Sequence, residues 1–310
     1  MGDSLLFRLC VLGAAALFST GGAAIKACAL GGWQVAGLRS GVAALTLALL
    51  VPSARRGWSW RTALVGVCYA ATMILFVLAN KLTTAANTIF LQSTAPLYIL
   101  LLAPLLLRER ARLADVAAMA VIAAGLASFF VGVEPARASA PDPSTGNLLG
   151  AAAGLSWGLT LMGLRWLERT GDAGDRGEAP GAGLAAVVVG NLLAFAVALP
   201  FALPVERVGG GAPTATDWLL ILYLGAIQIG LAYVLLTRGF RRVPAFEASL
   251  LILIEPTLNP VWAWLFQGEV PGGWAIGGGV LILSASVART WWEQRRERTD
   301  AERRAPARGS

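Results

Sequence analysis

This sequence predicts an all-α integral membrane fold: ten transmembrane helices arranged as two inverted five-helix repeats. Three observations carry that prediction. Of the 310 residues, 56% are hydrophobic and only 14% are charged, against about 25% charged in ordinary soluble domains. The basic residues gather on one side of the apolar runs they separate. The two halves of the chain also repeat one another.

A helix needs about 20 apolar residues to cross roughly 30 Å of hydrocarbon, and a soluble domain of this size could not bury so many runs of that length. Charged and Gly/Pro punctuation divides the chain into ten such spans. The first five run from about Leu5 to Lys26, Trp33 to Pro52, Thr62 to Asn80, Thr83 to Leu107 and Ala114 to Val133. The second five run from about Gly146 to Trp166, Gly181 to Leu203, Asp217 to Thr237, Ala245 to Phe266 and Gly273 to Ala288. In lipid the backbone must satisfy its own hydrogen bonds, and continuous runs of this length do so as helices, not as the alternating strands of a barrel. The run after Met1 continues past signal-peptide length without a clear cleavage site and reads as a retained first helix. The expected organisation is a first repeat over residues 1–133, a linker over 134–145, a second repeat over 146–290 and a basic tail over 291–310.

The charges orient the spans. With the N-terminus inside, twenty of the 25 Lys and Arg residues fall on the inner side and four (Lys26, Lys81, Arg137 and Arg207) on the outer side, with Arg39 inside the second span. The positive-inside rule then puts both termini in the cytoplasm, as an even number of crossings requires. The expected location is a multi-pass protein of the cell membrane, the inner membrane where there are two. Trp291 and Trp292 stand where the last span meets the basic tail, a usual place for interfacial anchors.

Several chemistries are excluded. The chain has no histidine, so serine–histidine and thiol–histidine mechanisms are out. Cys10, Cys28 and Cys68 are few and lie in or beside apolar runs, which speaks against a disulfide framework or a thiolate metal cluster. No Walker-type motif is present. The chain is therefore expected to use no cofactor and no metal, to bind no nucleic acid despite a net charge of +7, and to be no enzyme.

The repeat is legible by eye. Leu12 to Gly21 reads LGAAALFSTG and Leu149 to Gly158 reads LGAAAGLSWG, identical at seven of ten positions. Less compositional is the fourth span's STAPLYILLLAPLLLRE, in which Pro96 and Glu109 are thirteen residues apart. In the ninth span's IEPTLNPVWAWLFQGE, Pro256 and Glu269 stand at the same spacing. The offset between halves grows from 137 to 160 residues, and the charged loop from Leu167 to Gly181 is the expected place for much of that insertion. Five crossings per unit make the second unit enter from the opposite face, the inverted geometry of many secondary transporters.

Arg39 in GLRSGVAAL, the NKLTTAANTIFLQSTAPLY stretch, Arg108 with Glu109, WGLTLMGLRW, RRVPAFEASLLILIEP and Gly268 with Glu269 together resemble the drug/metabolite transporter superfamily (DMT), EamA type, over nearly all ten spans. The resemblance implies a central cavity lined by helices 1 to 4 and 6 to 9, with helices 5 and 10 peripheral and often available for dimer contacts. The family's cargoes include amino acids, nucleotide-related compounds, sugars and drugs, so the resemblance does not name one.

An ionised side chain at the bilayer centre costs on the order of 2.5–3.5 kcal/mol, so such residues face a cavity or a partner. Arg39 reads equally as a snorkelling helix-end residue or as a seat for a carboxylate. Glu255, just before Pro256, reads as a site for a substrate amine or a coupling proton, with an ion pair to Arg39 as the structural alternative. Glu247 lies nearer its helix start, where a carboxylate also suits the helix dipole. Asn87 and Gln92 could hydrogen-bond a substrate or join helices. Trp157 occupies a matched position of helices 1 and 6 together with Ser19 and Ser156, while Gln228 and Tyr233 complete the candidate cavity. Glu109 and Glu269, at helix ends, read as partners in a structural or gating ion pair and stand outside the binding set.

The expected function is secondary active export of small metabolites, such as amino acids or related compounds, by alternating access. A coupling proton or a counter-substrate is the expected co-ligand, and a monomer or homodimer in lipid the expected state. The competing readings are a non-transporting membrane sensor or scaffold and an intramembrane lipid-modifying enzyme.

Overall fold

The computed structural model describes residues 2–106, 113–171, 181–239, 242–243 and 245–304, and among these it is helical with no strand. Glu109 and most of the charged loop after Leu167 lie outside the described residues.

Helix 1 comes in two segments, Gly2–Ser19 and Gly21–Ala27, parted at Thr20. Helix 2 is Gly32–Leu50 and helix 3 is Trp60–Leu82, the latter opened by Ser59, whose side chain accepts from the Thr62 N–H. Helix 4 is split into Ala85–Gln92 and Ala95–Leu106, and helix 5 is Leu113–Val131. Helices 6 and 7 are Pro143–Gly171 and Ala182–Ala202. Helix 8 runs from Ala215 to Gly239 with a π-helical stretch, Tyr223–Leu231, in its middle. Helix 9 is split into Ala245–Ile252 and Ile254–Gln267, and helix 10 is Gly273–Arg304.

Seven of these helices are long and apolar enough to cross a membrane by length and composition, and helix 5 is a shorter apolar one. Helix 9 and the first part of helix 10 complete the ten. Ten crossings bring the start of helix 1 and the end of helix 10 to one face, called here the terminal face.

Proline chemistry explains both splits. Pro96 and Pro256 have no N–H to give the carbonyl four residues earlier, that of Gln92 or Ile252, so each helix stops there and restarts. The π-helical turn belongs to a class common at functional sites.

Helix 3 packs on helices 6 and 7, helix 2 on helices 7 and 8, and helices 5 and 10 on each other. Glycines set the closest approaches. A Cβ at Gly66 would stand 3.1 Å from the Gly190 nitrogen, so helices 3 and 7 meet backbone to backbone. Many large apolar side chains, Leu49, Phe201, Leu219, Trp264 and Ile276 among them, stay exposed on the outside of the bundle, as a lipid-facing surface requires.

Candidate functional site

The contact between Gly66 and Gly190 does more than join two helices. It presses Tyr69, one turn along helix 3, against helix 7 beside Asn191, the one polar side chain of that apolar helix. Arg39 comes in from helix 2, whose backbone is held against the π-helical stretch at Gly225: a Cβ there would lie 2.6 Å from the Arg39 carbonyl oxygen.

Arg39 is 1% exposed. Its Nη2 donates to the Met73 carbonyl at 3.2 Å and lies 3.7 Å from the Met73 sulfur. Among the described residues it has no carboxylate partner, and its Nε makes no hydrogen bond. The Tyr69 hydroxyl and the Asn191 Oδ1 likewise make no well-aligned hydrogen bond, although Tyr69 stands close enough to Asn191 and Tyr233 to interact with both. Nearly all buried polar groups in native proteins find a partner. Arg39 Nε, the Tyr69 hydroxyl and Asn191 Oδ1 are thus underused polar atoms on consecutive neighbours, Arg39 beside Tyr69 and Tyr69 beside Asn191.

Tyr233 continues the site. Its ring stands 6.2 Å from that of Tyr69 and 5.3 Å from that of Phe18, both edge to face. Tyr69, Met73, Trp157 and Tyr233 share one apolar cluster, with Trp157 and Tyr233 half-buried. Glu255 lies within electrostatic reach of Tyr233. It is half-buried, in the first turn of the second segment of helix 9, and has no hydrogen-bond or ion-pair partner among the described residues. The ion pair between Glu255 and Arg39 is not formed: Arg39 has Tyr69 as its electrostatic neighbour, and Glu255 has Tyr233. The result is a run of neighbours that begins with a cation, passes through two aromatic rings and ends with an anion: Arg39 by Tyr69, Tyr69 by Tyr233, Tyr233 by Glu255.

The other candidates fall elsewhere. Gln228 sits on the π-helical stretch, 5% exposed, donating to the Phe18 carbonyl at 3.2 Å with its Oε1 unpaired. It borders the Arg39 site on the side away from the terminal face. Beside it the structure adds Asn259, fully buried with both amide atoms unpaired and packed on Gly22. Gln92 ends the first segment of helix 4, half-buried at the break.

Asn87 belongs to a buried network between helices. Its Nδ2 donates to Thr83 Oγ1 at 3.2 Å and to Asn147 Oδ1 at 3.1 Å, and Asn147 in turn donates to the Phe129 carbonyl. Glu247 is at the surface, paired with Arg8 at 2.6 Å in the first turn of its helix segment. Tyr69, Asn191 and Asn259 stand beside these candidates and were absent from the sequence-based set. For Asn191 the signal was present, since a lone carboxamide in a run of Ala, Val and Leu costs free energy unless something meets it.

Access differs between the two ends. Trp157, Tyr233 and Glu255 keep accessible surface at mid-depth, whereas Asn80, Thr83, Thr84, Asn87, Gln228 and Asn259, toward the face opposite the termini, are closed off.

Known proteins bear on this arrangement in three ways. A sequence model of the EamA-like transporter family matches residues 6–131 and 144–288. The pseudopaline exporter CntI of Pseudomonas aeruginosa, from strains UCBPP-PA14 and PAO1, is 39% identical over 75 residues. That alignment takes in 24% of this chain and 26% of the exporter, about a quarter of each. A protein of known crystal structure superposes with a TM-score of 0.57 at 21% identity over 94% of this chain and 98% of its own, a likeness of fold.

Proposed function

From the premise that this chain belongs to the EamA-like transporter family, we propose that it is a secondary active exporter of small zwitterionic metabolites, amino acids or close relatives, working by alternating access. Membership makes it a membrane transporter. Cargo, direction and energy source are the substance of the proposal.

One observation carries it: Arg39 and Glu255 are opposite charges within the bundle, each without a counter-ion among the described residues, the first beside Tyr69 and the second beside Tyr233. An unpaired charge in low dielectric costs several kcal/mol, and the two could have relieved that cost by pairing. Kept apart, they suit a solute with a carboxylate and an amine. In this reading Arg39 Nε and the Tyr69 hydroxyl take the carboxylate, Asn191 Oδ1 accepts from a donor next to it, and Glu255 takes the ammonium against the faces of Tyr233 and Phe18.

The inverted repeat supports the alternating-access part. The proposed division keeps repeats at 1–133 and 146–290, a linker at 134–145 and a tail at 291–310. With the terminal face in the cytoplasm, as the arginine distribution argues, the accessible residues of the site would load from inside. Export also agrees in direction with the named relative. Energy would come from a proton or a counter-substrate, with Glu255 the residue able to carry the proton.

The test is counterflow in liposomes with a panel of amino acids, their amides, their decarboxylated amines and their deaminated acids. Zwitterions are expected to exchange, and solutes lacking either charge to exchange poorly. Equal flux of amides and free acids would sink the two-charge site; no flux of any solute would sink transport of this class.

A further inference from the structure

Two short helical segments close the face opposite the termini, and one carboxylate ties them together. The first, Gly21–Ala27, follows the break at Thr20 and carries Lys26; the second, Ala85–Gln92, precedes the break at Ser93 and Thr94. Glu269, directly after helix 9, reaches both. Its Oε1 pairs with Lys26 Nζ at 2.8 Å, the two side chains being only 5% and 3% exposed. Its Oε2 accepts the Ala85 N–H at 2.9 Å, at the positive end of the second segment. Lys26 adds hydrogen bonds to the carbonyls of Thr83, at 2.8 Å, and Ser139. A residue of the second repeat thus clamps two hinged pieces of the first. Under the clamp lies Asn259: a Cβ at Gly22 would meet Asn259 Oδ1 at 2.8 Å and the Ala85 Cβ at 2.9 Å, so this unpaired carboxamide sits beneath both segments.

We propose that Gly21–Ala27 and Ala85–Gln92 form the lid of the transport path at this face, and that Glu269 is its latch. Opening releases Lys26 and the Ala85 N–H together and frees Asn259, which has no partner while the lid is shut, to line the path. The latch is one-sided. The position in helix 6 matched to Lys26, 137 residues later, is Gly163, packed on Val65. The lysine of the ion pair therefore has no counterpart at the matched position of the second repeat. This inference rests on the transport reading for its purpose but not for its measurement.

The experiment uses full-length chain in proteoliposomes with Cys10, Cys28 and Cys68 replaced by serine and Asn259→Cys as reporter. A membrane-impermeant maleimide is applied from the face opposite the termini. With the latch intact, labelling is expected to be slow. In Glu269→Gln or Lys26→Gln it is expected to accelerate at least about fivefold, the lower end of ordinary conformational coupling. Lys26→Gln leaves the cap on Ala85 in place and carries the test should Glu269→Gln misfold. Unchanged labelling in monodisperse protein overturns the latch, and aggregation of both variants does so as well, making the pair a structural staple. Accelerated labelling without flux of any solute would keep the lid and sink the transport reading; normal zwitterion flux with unchanged labelling would do the reverse.

Discussion

Gln92 and Ile252 stand 160 positions apart in the chain and at the same place in the fold: each ends the first segment of a split helix, four residues before a proline. The matched breaks put freed carbonyls and two hinges on opposite repeats, which a rocking mechanism needs at both ends of its stroke.

Restoring the missing hydrogen bonds should therefore stiffen the protein at the expense of turnover. A proline inside a helix costs about 3 kcal/mol relative to alanine. Pro96→Ala and Pro256→Ala are expected to raise the melting temperature in detergent and to lower the maximal exchange rate on the order of tenfold, which corresponds to about 1.4 kcal/mol in barrier. Parallel melting curves and counterflow rates check this, and faster exchange in either variant would count against the hinges.

Arg39 should matter by its geometry as well as its charge. Hydrogen bonds to charged groups are worth about 1.5–3 kcal/mol, so Arg39→Met should weaken carboxylate-bearing solutes roughly tenfold to a hundredfold. Arg39→Lys should recover little, because a lysine cannot reproduce the fork that reaches Met73 and the orphaned site together. Competition binding with free acids and their amides reads both effects; the amides should lose little.

Glu255→Gln keeps the shape of the site and removes its anion. Transport of amine-bearing solutes should fall while expression and elution on size exclusion stay near normal. Unchanged flux would return Glu255 to the role of an acid at a helix start.

Asn87→Ala should behave in the opposite manner. It leaves Asn147 Oδ1 with one donor fewer inside the contact between helices 4 and 6, a loss of about 1–3 kcal/mol. A lower melting temperature with an unchanged KM is expected, and a KM effect without destabilisation would bring Asn87 into the site.

Neutralising Lys26 or Glu269 alone leaves the other charge buried, for which roughly 3–5 kcal/mol is typical. The double variant Lys26→Met with Glu269→Gln should therefore be less destabilised than the sum of the two single ones, as chemical denaturation of all three would show.

What the sequence disclosed and what it withheld divide along physical lines. The ten spans, the charge asymmetry and the prolines behind both breaks are local or periodic properties, so they can be read along the chain. Arg39, Trp157, Tyr233 and Glu255 stood out as polar or aromatic groups at mid-depth of apolar runs, and the fold gathers them. Tyr69 was invisible because its role depends on Gly66 touching Gly190, a meeting of two helices that no single segment announces. For Asn87 the sequence left open whether it meets a substrate or joins helices, because its partner, Asn147, lies sixty residues away at the start of another helix. Glu247 proved to be held by Arg8 from the far end of the chain, a pairing that likewise has no local signature.

The π-helical stretch Tyr223–Leu231 gives helix 8 one residue more per hydrogen-bonded loop than its neighbours have. That surplus would let its phase adjust during a transport cycle. Passing the wide turn past Tyr233 would rotate that ring by about 100° relative to Gln228, the angle of one α-helical residue, while every backbone hydrogen bond is handed on to a new partner. A helix of this kind would work as a gear with a spare tooth, turning an aromatic side chain toward or away from Tyr69 without lengthening, bending or leaving the bundle.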